Sequence, residues 1–299
     1  GGLYLSVGAW VLKWSVAPAG SARALGFDGV MGAATVTGLC LYPVKSARGI
    51  ALASVMLGTR GFVGDREWMV VDARGRFVSQ RSLPVLAQLS VERTPTGLEL
   101  SLGPLRIAVS TPHTGAWRDV AVWADQVQAR DAGDDVAAFL YSAFKQVLRL
   151  VWMPPEIFRP ADAAYVGSAQ VPVSFADGFP LLLTNQASLD ALNSRLPQPI
   201  PMERFRPNLV IAGWPAFAED GLQHLRCGGV EIRLVKPCTR CSIPSLDHHS
   251  GAPSLDPTPV LKSFRYDSAL RGVTFGVNAM VVGGASGLLS LGDPVQRLD

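Results

Sequence analysis

A chain of 299 residues, 48% of them hydrophobic, has enough apolar mass for a large core and for two packed units rather than one. The formal net charge is only +3, and the basic residues sit in scattered short motifs, which excludes the global positive field of a nucleic-acid binder and points to local anion sites. Four cysteines (Cys40, Cys227, Cys238 and Cys241) are too few for a disulfide framework, so an intracellular, reducing compartment is expected.

The stretch from Leu3 to Ala17 is apolar but interrupted by Lys13, and it is shorter than the ~20 residues a spanning helix needs. It reads either as the remnant of a membrane anchor or targeting segment, or as a lead-in to the folded part. Residues 1–33 are set apart on this basis.

The 22 prolines and 30 glycines, spaced between short Val/Leu/Ile runs, predict a strand-rich α+β fold with many turns. A first unit, 34–152, holds expected strands at Val36–Leu41, Glu67–Val71, Leu86–Val91, Gly97–Leu102 and Val120–Trp123. A helix is expected from Asp134 to Leu148, with Val136, Phe139, Leu140, Phe144 and Val147 on its inner face. The proline-broken stretch Met153–Pro172 leads into a second unit, 153–299. There, strands are expected at Leu181–Thr184, Leu209–Ala212, Gly229–Val235 and Ala279–Val282. Gln186–Leu196 reads as an amphipathic helix capped by Asn185 or Thr184. Ser290–Val295 is a turn entering a last strand.

The most informative segment is Lys236-Pro237-Cys238-Thr239-Arg240-Cys241, followed six residues on by Asp247. A thiolate ligates metals, while a neighbouring arginine lowers a thiol's pKa and grips phosphate. Three readings of the cysteine pair stand side by side. Zinc needs four ligands, and the nearby His248 and His249 are adjacent, so their side chains are expected to diverge. A redox dithiol wants a thioredoxin-like setting, which Ile243-Pro244 does not begin. The third reading has one thiolate ligating a transition metal. Three other segments place a cation beside hydrogen-bonding groups at strand ends: Tyr42-Pro43-Val44-Lys45-Ser46, Gly64-Asp65-Arg66 and Phe205-Arg206-Pro207-Asn208. Such groups suit a phosphate or an acceptor-rich heterocycle, although any one alone could be a surface ion pair.

Together with Ser79-Gln80-Arg81, Leu261-Lys262-Ser263-Phe264-Arg265 and Gly292-Asp293-Pro294-Val295, these motifs resemble the MOSC-domain molybdenum proteins. Among them the chain is most similar to the amidoxime-reducing component group, collinearly from about Ala34 to Asp299. The resemblance implies an N-terminal β-barrel domain, a C-terminal MOSC β-barrel domain and a molybdenum cofactor of the molybdopterin type between them. It implies Cys241 as the metal ligand, with Thr239 and Arg240 beside the cofactor. Lys45, Ser46, Arg66 and Arg206 would hold the pterin and its phosphate, with Asn208, Thr184, Asn185 and Ser188 as second-tier candidates. Where animal members have a cofactor-contacting tyrosine this chain has Asn278, and a fused ferredoxin domain of the kind some bacterial relatives carry is not expected.

The implied activity is reduction of N-hydroxylated compounds (amidoximes, hydroxylamines, N-hydroxylated bases, in some members nitrite) with loss of water. Asp247 would either supply protons or cap a turn. The chain has no Gly-x-Gly-x-x-Gly fingerprint, so electrons are expected from partners, which the resemblance makes a b5-type cytochrome and its NADH-dependent reductase. It also leaves open a location in the cytosol or on the mitochondrial outer membrane. A carrier or sulfur-transfer role, with Cys241 or Cys238 accepting a persulfide, is the alternative.

Overall fold

The computed structural model describes residues 32–167, 169–284 and 287–299; the apolar stretch at Leu3–Ala17 lies outside them. Seven strands close on themselves into a barrel. Leu181–Asn185 pairs with Leu209–Ala212, which pairs with Ala34–Leu41, then Pro294–Arg297, His224–Cys227, Val230–Thr239 and Gly272–Gly283. The last of these returns to Leu181–Asn185 through Leu183↔Val277. Every pairing is antiparallel except Leu181–Asn185 with Leu209–Ala212. That parallel pair needs a crossover, and the helix Gln186–Asn193 supplies it, capped by the Asn185 side chain, which accepts from Ala187 N at 3.1 Å.

The strand Ala34–Leu41 therefore belongs to this barrel, although sequence grouped it with the first unit. Most of the remainder of that region forms a sheet ordered Trp68–Asp72, Leu148–Trp152, Asp125–Asp131, Trp117–Val122, and a three-strand meander of Ser90–Thr94, Gly97–Leu102 and Leu105–Ser110, while Ser54–Gly58 pairs with Gly61–Phe62 and with Leu288–Ser290. The helix Asp134–Phe144 covers both with Val136, Phe139, Leu140 and Phe144, packed on Leu86, Leu98, Leu100 and Trp152.

Several elements differ from expectation. Leu86–Val91 is not one strand: Pro84 starts a 3₁₀ turn, Pro84–Gln88, and pairing begins only at Ser90. Pro84 lacks the donor a strand would need, while its fixed φ suits a helical first turn. The helix from Asp134 stops at Phe144, because Lys145 turns left-handed (φ 56°) and closes on Tyr141 O. Val147, placed on the inner face by periodicity, is 69% exposed, and Leu148 instead opens a strand. The helix at Gln186 ends at Asn193 rather than Leu196. The strand at Val230 runs on through Cys238 to Thr239, with register shifts around Val235 and Cys238 that accommodate Pro237.

Barrel closure depends on a close approach at Gly276. Its φ is +73°, and a Cβ there would stand 2.7 Å from Thr184 Cγ2 and 2.8 Å from Leu183 O. A side chain would be strained by conformation and blocked by backbone. Gly276→Ala is expected to cost about 2 kcal/mol or more, read as a lower denaturant midpoint at unchanged slope.

Candidate functional site

One cleft collects most of the residues singled out by sequence. Strand ends and loops bring Lys45, Ser46 and Arg66 from one side against Arg206, Asn208, Asn278, Arg240 and Cys241 from the other, around about 770 Å³ of open space. Five cations from distant segments, Lys45, Arg66, Arg81, Arg206 and Arg240, thus line one depression. The floor is rigid: Phe205 and Phe275, both fully buried, stack at 4.0 Å, and Arg240 donates to Phe205 O at 2.8 Å.

The backbone that presents these groups is strained. Seven non-glycine residues among those described have positive φ, and three of them, Ser46 (68°), Arg66 (49°) and Arg206 (55°), line this cleft. Left-handed backbone at a residue with a side chain costs of order 1–3 kcal/mol and persists where surroundings enforce it. Here Gln80 Nε2 holds Ser46 O at 2.8 Å, Arg66 N donates to Tyr42 O at 2.7 Å, and Arg206 N donates to Glu203 O at 3.0 Å.

Burial opposes charge on Lys45, Arg66 and Arg206, and partners answer it unevenly. Lys45 is 5% exposed and donates to Phe175 O at 2.8 Å and Asp177 Oδ1 at 2.5 Å; burial still pulls its pKa down. Desolvation would raise the Asp177 carboxyl, but Lys45 holds it well below the usual carboxylate range. For Arg66, burial is outweighed by Asp65 and its pKa is raised. Arg66 also donates to Asn208 Oδ1 at 3.1 Å and Arg206 O at 3.3 Å. Arg206 has no such carboxylate: burial lowers its pKa, and its Nη2 is buried without a hydrogen-bond partner among the described residues. Arg240 Nε is likewise unpartnered. A buried guanidinium with an idle donor is costly, and an anion with acceptor oxygens would relieve it.

The two cysteines are both free thiols lining the cleft. Arg240 Nη1 reaches Cys238 Sγ at 3.1 Å, so the guanidinium of the motif serves Cys238 rather than Cys241. His248 and His249 do not diverge: their ring centroids are 3.9 Å apart. Even so, among the described residues no three His, Cys, Asp or Glu side chains gather to hold a metal. A metal in this cleft would draw its remaining ligands from a group that brings them.

Other candidates lie elsewhere. Thr184, Asn185 and Ser188 are fully buried and do not line the cleft. Ser188 Oγ donates to Glu219 Oε1 at 2.7 Å, and Asn185 Nδ2 donates to Pro215 O at 2.8 Å, so they secure the crossover helix. Thr239 is exposed, because side chains alternate along a strand and Cys238 and Arg240 take the cleft face. Asn208 is in the cleft, with its Oδ1 accepting from Arg66 Nη1 and Leu182 N and its Nδ2 donating to Cys40 O. Asn278 lines the cleft and donates to Lys236 O at 3.4 Å. Asp247 does not line it: its Oδ1 accepts from His249 N, Ser250 N and Ser250 Oγ.

Sequence reasoning missed Asp177, Phe77 and Arg159. Asp177 and Phe77 line the cleft, while Arg159, 3% exposed, donates to the carbonyls of Ser174, Ala176 and Asp177 and so fixes the loop beneath Lys45. No local spacing marks these residues; each gains its place from a partner more than ten positions away.

Family models for the MOSC N-terminal beta barrel domain and the MOSC domain match residues 33–147 and 170–296, and the chain belongs to the MOSC-domain family. It is 32% identical over 279 residues to mitochondrial amidoxime-reducing component 1 of Homo sapiens, covering 88% of this chain and 83% of that protein. It is 33% identical over 243 residues to the Mus musculus protein of the same name, and 32% identical over 287 residues to mitochondrial amidoxime reducing component 2 of Rattus norvegicus. These cover 77% and 88% of this chain, and 71% and 83% of the relatives. Among the described residues no helix is long and apolar enough to cross a membrane.

The Asp247 turn gives a pH test. Hydrogen bonds from Ser250 pull the carboxyl down to about 2 from its ordinary 3.8. A depressed folded pKa stabilises the protein above the unfolded value, and that contribution is lost as pH falls through the folded one. Asp247→Asn is expected to cost about 1 kcal/mol at pH 6, discounted for partial exposure, with the gap to wild type closing as pH approaches 2 in denaturant titrations.

Proposed function

We propose that this protein is a molybdenum-cofactor-dependent reductase of N-hydroxylated compounds. The observation that carries the reading is the convergence of Cys241 with Lys45, Arg66, Arg206 and Arg240 in one cleft, with buried guanidinium donors left idle, in a member of the MOSC family. The residues fit the group: one thiolate donor suits a metal that arrives with its own sulfur ligands, and the cations suit an anionic organic portion.

When bound, such a cofactor supplies a metal that cycles between states two electrons apart and cleaves the N–O bond, consuming two protons and releasing water. The chain's own contribution is narrower. Cys241 would be the protein ligand to the metal. Arg206 and Arg240 would donate their idle N–H groups to the anionic portion, and Lys45 and Arg66 would add charge from the opposite side. Asn208 would hold Arg66 in place rather than touch the cofactor. Asp247, ionised at neutral pH and away from the cleft, is assigned to its turn and not to proton delivery.

Electrons would come from a b5-type cytochrome reduced by its NADH-dependent reductase. Purified protein carrying molybdenum should reduce benzamidoxime with a reduced dye, and with NADH only when both partners are added. Rates with partners should fall as salt rises, if docking is charge-steered. A molybdenum-replete sample inert with both donors would favour the carrier or sulfur-transfer role instead.

Cys241→Ala should abolish reduction whereas Cys238→Ala keeps most of it; equal loss in both would point to a dithiol or two-thiolate site. Arg206→Ala should purify folded but with molybdenum lowered by one to two orders of magnitude in affinity, since a charge-assisted hydrogen bond contributes about 1.5–3 kcal/mol. Metal analysis of the two proteins side by side decides it.

A further inference from the structure

Arg206 is a half-buried cation in the cleft, and among the described residues its buried Nη2 has no hydrogen-bond partner and no carboxylate pairs with it. Something must nevertheless orient its guanidinium. The Tyr42 ring lies under it, with Arg206 Cζ 4.2 Å from the ring centroid. The same ring carries Arg66, whose Cζ is 4.4 Å from the centroid. Two cations of the cleft, 140 positions apart in the chain, therefore share one aromatic platform.

The platform is itself fixed. Tyr42 is 2% exposed, its N–H donates to Asp65 Oδ1 at 2.8 Å, and its carbonyl accepts from Arg66 N at 2.7 Å. Its position is also enforced sterically: a Cβ on Gly49 would stand 2.5 Å from Tyr42 Cε1 and 2.7 Å from Cys40 Sγ, so only glycine leaves the ring this room. Burial pushes the phenol well above its ordinary range, which keeps the ring neutral between the two cations.

We propose that Tyr42 is the positioning residue of the anion-binding site: its ring holds the Arg66 and Arg206 guanidiniums at the spacing that receives the anionic portion of the cofactor. This rests on the cofactor reading above. It assigns to the tyrosine of the Tyr-Pro-Val-Lys-Ser segment a task distinct from that of Lys45 and Ser46. A cation over a desolvated ring is held through the ring's negative face, a contact that phenylalanine keeps and leucine does not.

The test compares Tyr42→Phe, Tyr42→Leu and Gly49→Ala with wild type for molybdenum per chain, rate of molybdenum loss on gel filtration at rising salt, and thermal midpoint. Phenylalanine retains the platform and removes only a hydroxyl near the Cys40 thiol, a weak hydrogen-bonding group. Tyr42→Phe should therefore match wild type in molybdenum content and retention. Tyr42→Leu should lose molybdenum about tenfold faster or more while remaining folded, and Gly49→Ala, which displaces the ring without deleting it, should shift the same way. Wild-type retention in Tyr42→Leu overturns the proposal, as does equal loss in Tyr42→Phe, which would implicate the hydroxyl. If Tyr42→Leu does not fold, Gly49→Ala against Tyr42→Phe decides: retention in both overturns it. Wild-type protein that binds no molybdenum would instead overturn the cofactor reading, an outcome separable from these.

Discussion

Burying positive charge where the first region meets the barrel is the constraint around which the molecule is organised. Arg66 sits there with a side chain only 13% exposed, and an uncompensated charge in that place would cost several kcal/mol. Asp65, itself 2% exposed, neutralises it, and Asn208 ties it to the barrel by accepting from Arg66 while its own amide donates to Cys40 O. The same Asp65 carboxylate takes the Tyr42 N–H. Thus the end of the first strand, the Gly64–Arg66 turn and the Phe205–Asn208 turn are locked by one polar network. Breaking any member would leave another buried and unpaired.

In the cleft this compensation is left incomplete, as it also is at Arg48, Arg130 and Arg204, whose buried Nε atoms lack partners among the described residues. Lys45 has Asp177 and Arg66 has Asp65, whereas Arg206 and Arg240 keep idle N–H donors. The concentration of left-handed residues at the same place, Ser46, Arg66 and Arg206, points the same way. Strain and unmet hydrogen bonding both lower stability, and a fold retains them together where a ligand repays the cost. The stacked pair Phe205–Phe275 packs at the cleft's edge, where Phe205 O accepts from Arg240.

The strand through Pro237 gives the cysteine segment its geometry. Because Val230–Thr239 continues past the proline by shifting register, Cys238 and Arg240 face the cleft while Thr239 faces outward. Cys241 follows just after the strand ends, with its thiol on the same side as the cations. A second thiol two strand positions from a guanidinium explains why the Arg240 contact falls on Cys238.

Much of this was legible in the chain. Short-range patterns marked the strands at Val36, Gly97, Leu181 and Leu209, and the cations at strand ends marked residues that line the cleft, because side-chain alternation and turn chemistry act within a few residues. The Leu86 and Val147 expectations failed where a proline turn and a left-handed Lys145 overrode hydrophobic spacing. What only the tertiary structure decided was closure and pairing. The strand Ala34–Leu41 joined the C-terminal barrel, Asp177 became the counter-ion of Lys45 from 132 positions away, and Asn185 and Ser188 turned out to be crossover supports. Periodicity states which face of an element is apolar; it carries no information on which distant face that element meets. That is settled by the burial and charge balance of the whole barrel.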